Sequence, residues 1–142
     1  MQKYFPLSKS EEGLYFSSLE SGDAYNLANT VNLGKDVDPQ KVEEALKAVF
    51  NAHPYLFTVL SVNEEGRIRK SIEKEDIKLE CQKVNGLKIE SLPYELLNHH
   101  LYRFKLFNDK GEYVFYFDFH HIIMDGSSIK IFIDDFFLWY ND

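Results

Sequence analysis

Apolar residues recur along this chain at two spacings, one helical and one alternating, and the switches between them mark its elements. Ser8-Lys9-Ser10-Glu11 is a capping box: Ser8 caps a helix and Glu11 reaches back to it. The spacing predicts a first helix from about Lys9 to Ser18 that buries Leu14, Tyr15 and either Ser18 or Leu19, and Ser21-Gly22-Asp23 ends it. Tyr25, Leu27, Asn29, Val31 and Leu33 then alternate with small or polar residues, which is the pattern of a strand. Asp38-Pro39 starts a second helix, with Asp38 as cap and Pro39 in the first turn. Val42, Ala45, Leu46, Val49 and Phe50 form its stripe, and His53-Pro54 stops it.

Tyr55 to Val62 reads as a strand, Asn63 to Gly66 as a hairpin turn and Arg67 to Ile72 as the return strand. Ile77, Leu79 and Cys81 suggest another short strand. Leu87, Ile89, Leu92, Leu96 and Leu97 fit a helix broken or restarted at Pro93. Leu101 to Phe107 is a strand, Asn108-Asp109-Lys110-Gly111 a turn, and Glu112 to His121 the antiparallel partner. Alternation sets Phe115, Phe117 and Phe119 on one face with His121, and Val114, Tyr116 and Asp118 on the other with His120. Apolar residues on both faces imply a central strand. A final helix starts near Ser127 or Ser128, with Ile129, Phe132, Ile133, Phe136 and Tyr140 as its apolar stripe. This order predicts an α+β fold, a mixed and mainly antiparallel sheet with helices packed largely on one face. With no repeat, low-complexity segment or interior linker, residues 1–142 read as a single domain.

Composition narrows the function classes. Hydrophobic residues make up 44% and aromatics 15% of the 142 residues, enough for a packed core. The formal net charge of -7 argues against nucleic acid, because no basic stripe exists to displace phosphate counterions. Arg67, Arg69 and Lys70 read as a solvated hairpin face. Cys81 is the single cysteine. It makes no internal disulfide or Cys/His zinc spacing, and its place in an alternating stretch suggests a core or half-buried position. The opening residues Met1 to Pro6 lack the apolar segment of a signal peptide, and charges interrupt every apolar run, so the expectation is a cytoplasmic protein with no membrane span.

The chemistry concentrates in His120-His121-Ile122-Ile123-Met124-Asp125-Gly126, between the last strand and the last helix. A rigid strand end can aim an imidazole, and the turn beside it admits a substrate. A neutral imidazole takes a proton on Nε2 while Nδ1 donates to a fixed acceptor. Gly126 lets backbone come close to a substrate, and the helix start offers N–H groups to an oxyanion. A histidine pair alone is most often structural, and Asp-Gly alone is a turn. The combination with the apolar strand and the amphipathic helix makes the signal specific.

That combination resembles the condensation domains of nonribosomal peptide synthetases, within the chloramphenicol acetyltransferase-like superfamily. Their signature H-H-x-x-x-D-G is matched by His120, His121, Asp125 and Gly126, and Ser128 matches a frequent serine. Leu7-Ser8 through Leu14-Tyr15 is similar to the family's S-x-A-Q-x-R-L-W/Y, with Ser10-Glu11 in place of A-Q and Gly13 in place of the arginine. His53, Leu56 and Thr58 fit R-H-E-x-L-R-T without its arginines and glutamate. Pro93-Tyr94-Glu95-Leu96 and Leu101-Tyr102-Arg103 resemble P-F-D-L…P-L-x-R, with His100 at the second proline.

The resemblance implies that His121 is catalytic, deprotonating or positioning an acceptor amine, and that Gly126 lies near the reacting carbonyl. It implies structural support from His120, from Asp125 and from Arg103, the candidate partner of Asp125. It implies amide formation from thioesters on the phosphopantetheine arms of carrier proteins, with no metal and no directly bound cofactor. It covers nearly all of this chain but only the family's N-terminal lobe, so a missing C-terminal lobe or self-association has to complete the tunnel. Two alternatives stand beside it: a non-catalytic lobe that docks a carrier or partner, and an acyl-CoA-dependent acyltransferase. Of the remaining residues, His53 reads as a capping or packing histidine and His99-His100 as loop. Phe137 and Trp139, off the last helix's stripe, read as cover for the interface with the missing lobe.

Overall fold

A computed structural model describes residues 2–142; Met1 lies outside the described residues. The elements run β1 (Phe5–Pro6), α1 (Lys9–Ser21), β2 (Asn26–Gly34), α2 (Pro39–Ala52), a 3-10 turn (Pro54–Phe57), β3 (Thr58–Val62), β4 (Ile68–Ile72), β5 (Cys81–Val84), β6 (Tyr102–Asp109), β7 (Glu112–His120) and α3 (Gly126–Tyr140). The fold is α+β. Two sheets form, a small antiparallel one in the order β1-β4-β3 and a mixed one in the order β2-β7-β6-β5. In the second, β5 runs parallel to β6, while β7 is antiparallel to both its neighbours, β2 and β6. Its central place is the one that its two apolar faces predict.

Local chemistry explains the element ends. The capping box of α1 is present in both directions: Glu11 N–H donates to Ser8 Oγ (3.1 Å) and Ser8 N–H to Glu11 Oε1 (2.8 Å). Burial falls on Tyr15 and Ser18, while Leu19 is exposed. Asp38 caps α2 by accepting from Gln40 N–H (3.0 Å), with Pro39 in the first turn. The β6–β7 hairpin turns on Lys110 and Gly111, both at positive φ (54° and 90°), the pairing a tight two-residue turn demands.

The core lies between the four-stranded sheet and the helices α2 and α3. Phe115 stacks on Phe136, Phe117 and Phe119 both meet Phe132, and Phe50 of α2 meets Tyr102 and Phe104 of β6. His53, at the C-terminal end of α2, ties that helix to α3 through a 2.6 Å contact with Asp135. No helix among the described residues is long and apolar enough to cross a membrane.

Four expectations need correction. Pro54 starts a 3-10 turn, so the strand expected from Tyr55 begins only at Thr58. Ile77 is buried but not in a strand; β5 starts at Cys81. Cys81 is exposed, because β5 is an edge strand. Residues 87–97 form no helix: the chain there runs irregularly across the sheet and bridges β3 at Leu60↔Leu97. Its Ser91, Leu92 and Tyr94 bond to Asn26, Arg103 and Asp118 of the sheet rather than to each other.

Candidate active site

β7 carries the motif to its edge and stops at His120. Hydrogen-bonded turns then run from His120 O to Ile123 N–H (3.1 Å) and from His121 O to Met124 N–H (3.4 Å). His121 therefore belongs to the turn, and strand alternation, which assigned it to the Phe115–Phe119 face, does not reach it. Ile122, Ile123 and Met124 are buried and anchor the turn from beneath.

The two histidines sit in different surroundings. His120 is 2% exposed. Its Nδ1 accepts from the Ile122 N–H (3.0 Å), which leaves the proton of the neutral ring on Nε2. Burial, with a smaller push from His121, lowers its pKa to about 4 against an upward pull from Asp118. Tyr94 packs edge-on against it at 5.8 Å. His121 is half-buried. Its N–H donates to Tyr25 O (2.9 Å), its ring lies edge-on to the Tyr25 ring at 6.4 Å, and Nδ1 is its enclosed nitrogen, with no protein partner among the described residues.

Asp125 is the N-cap of α3, and its carboxylate accepts from Ser128 N–H (2.8 Å). That hydrogen bond holds it below the usual carboxylate range. The cap takes a donor that the sequence reading offered to an oxyanion. Gly126 opens the helix, and a Cβ there would meet nothing within 4 Å. Neither crowding within this chain nor backbone strain accounts for a glycine at that position.

Arg103 does not pair with Asp125. In the β6–β7 register it stands opposite Asp118, and Nη2 donates to Asp118 Oδ2 at 3.2 Å. Asp125 lies beyond the strand end, out of this register. Asp118 is fully buried, and Oδ2 also accepts from Ser91 Oγ–H and Tyr116 Oη–H, both at 2.6 Å. Its backbone carbonyl accepts from Tyr94 Oη–H (2.9 Å). Arg103 Nη2 and Asn26 Nδ2 both donate to Leu92 O, at 2.5 and 2.7 Å, and the guanidinium lies 3.9 Å from the Tyr94 ring centre. Burial, then the nearby Asp118, raises the Tyr94 hydroxyl pKa well above its ordinary value and that of Tyr116 to about 12. Asp118 is the residue the sequence reading missed as a site element. Its signal was visible: a carboxylate between aromatics in a central strand, opposite an arginine.

A groove of about 610 Å³ lies on this polar face beside Arg103 and Tyr116, and two smaller cavities open near Glu75 and near the end of α3. His121 lines none of these three.

The chain spans only a small part of the known proteins it is similar to. Bacitracin synthase 3 of Bacillus licheniformis is 31% identical over 140 residues, which is 92% of this chain and 2% of that protein. A mutant of the starter condensation domain of rhizomide synthetase superposes with a TM-score of 0.84 at 16% identity, over 97% of this chain and 37% of that one. The first condensation domain of the calcium-dependent antibiotic synthetase gives 0.76 at 17% identity, over 94% and 36%. The family model described as "Condensation domain" matches residues 1–142, and the chain therefore belongs to the condensation-domain family, of which it spans only the N-terminal part.

Proposed function

We propose that residues 1–142 form the N-terminal lobe of a nonribosomal peptide synthetase condensation domain and that His121 serves amide-bond formation. The amine nitrogen attacks the thioester carbonyl carbon, the C–S bond breaks, and the thiol leaves on the phosphopantetheine arm of its carrier. His121 takes the proton the amine loses, or holds the amine for attack, and the departing sulfur ends protonated. The arm is a substrate carrier, and no cofactor bound by this lobe enters the step. Carrier domains deliver both substrates, and a second lobe, from a longer chain or from a second copy, supplies the opposite wall.

The observation that carries this reading is the contrast within the histidine pair. His120 is sealed, neutral and occupied by the Ile122 N–H, whereas His121 stands half-buried in the turn. Open space in front of Gly126 fits the approach of a reacting carbonyl. Asp125 supports the site by capping α3, and Arg103 supports it through Asp118.

A second reading, a docking lobe without turnover, is favoured by one fact: none of the three cavities is lined by His121. The test uses a complete condensation domain containing this lobe, with both substrates loaded on carriers. His121→Ala is expected to slow amide formation about 100- to 10,000-fold, the usual worth of a general base. Wild-type turnover in that variant, with carrier binding intact, assigns the lobe to docking.

A further inference from the structure

Asp118 is the one carboxylate among the buried residues described, and it lies two residues before the histidine pair. A stabilising role explains it poorly. A buried ion pair gains little over apolar residues of the same volume, because desolvation offsets the attraction between the charges. What the pair does on this face is hold a chain segment that has no regular structure of its own. Ser91 bonds to the Asp118 carboxylate, Tyr94 to its carbonyl, and Leu92 to Arg103, so residues 91–94 are strapped to the sheet at three points, two on Asp118 of β7 and one on Arg103 of β6.

The strap ends at the site. Tyr94 presses edge-on against His120, and the Nδ1 of that ring accepts the Ile122 N–H that shapes the turn holding His121. We infer that Asp118 is a positioning residue: paired with Arg103, it fixes the strap, and through Tyr94 and His120 it sets the turn that presents His121. This rests on the proposed role of His121.

The complete condensation domain, with 15N-labelled histidine, is compared as wild type, Asp118→Asn, Ser91→Ala and His121→Ala. Asp118→Asn and Ser91→Ala are expected to replace the single Nε2–H form of His120 by a mixture of tautomers. Both are expected to lower kcat on the order of 10- to 100-fold, with KM for the carrier substrate changed by less than about twofold. The inference is overturned by an unchanged His120 signal in Asp118→Asn or Ser91→Ala, or by a displaced signal with wild-type kcat. Wild-type turnover in His121→Ala removes the role of His121, while the spectra still decide whether Asp118 sets His120.

Discussion

The two faces of the four-stranded sheet bury their side chains by opposite means. On one, Phe115, Phe117 and Phe119 meet Phe132 and Phe136 across an aromatic layer under α3. On the other, Tyr116, Asp118 and His120 of the same strand lie under an irregular segment held by hydrogen bonds. Aromatic contact is non-directional and scales with area, so it supplies stability and tolerates small shifts. A buried ion pair adds little net stability over apolar residues of the same volume, but its hydrogen bonds fix distance and angle. The histidine motif leaves the strand where the two kinds of packing end, with stability behind it and geometry beside it.

The largest test of this contrast is on the aromatic side. Phe117→Ala is expected to lower unfolding free energy by about 3–5 kcal/mol. Tyr116→Phe, one residue along on the polar face, is expected to cost about 1.5–3 kcal/mol. Urea unfolding of both variants measures the difference, and equal losses break the contrast.

A pH series sharpens it next. His120 titrates at about 4 when folded, against an ordinary 6.5. As pH falls, the unfolded chain takes up this proton first, so the stability from keeping the ring neutral is complete above about 6.5 and disappears as pH drops towards about 4. Wild type is expected to lose about 3 kcal/mol more than His120→Gln across that window. Parallel pH profiles of the two proteins mean that His120 is not held neutral by burial.

Most of the fold was legible because short-range signals decided it. Ser8 with Glu11, Asp38 with Pro39, and the turn at Lys110-Gly111 each act within a few residues. The stretch from 87 to 97 was not legible, because its hydrogen-bond partners Asn26, Arg103 and Asp118 are far away in sequence and outcompete a helix that Pro93 already weakens. The pairing of Arg103 failed for a related reason. The resemblance named Asp125 as its partner, whereas the strand register, read together with the alternation of β7, would have pointed to Asp118. The difference between the histidines was readable only in part: alternation put His120 on the Asp118 face, but nothing local marked the strand end one residue before His121.

The smallest expected effect tests where the aromatic layer ends. Cys81 on β5 stands opposite Leu106 of β6 in a parallel register, so both side chains point to the helix-covered face. Leu106 is fully buried and Cys81 is exposed, which means that the cover from α2 and α3 stops between these two strands. Leu106→Ala is expected to cost about 2–5 kcal/mol, as for other core leucines, and Cys81→Ser less than about 0.5 kcal/mol. Cys81 is also expected to react with a thiol reagent in the native protein as fast as in the denatured one, once thiolate fractions are matched. A protected thiol, or a loss in Cys81→Ser approaching that of Leu106→Ala, would mean that the packed layer continues over the edge strand. The boundary between the two kinds of burial would then lie beyond β5 rather than inside the sheet.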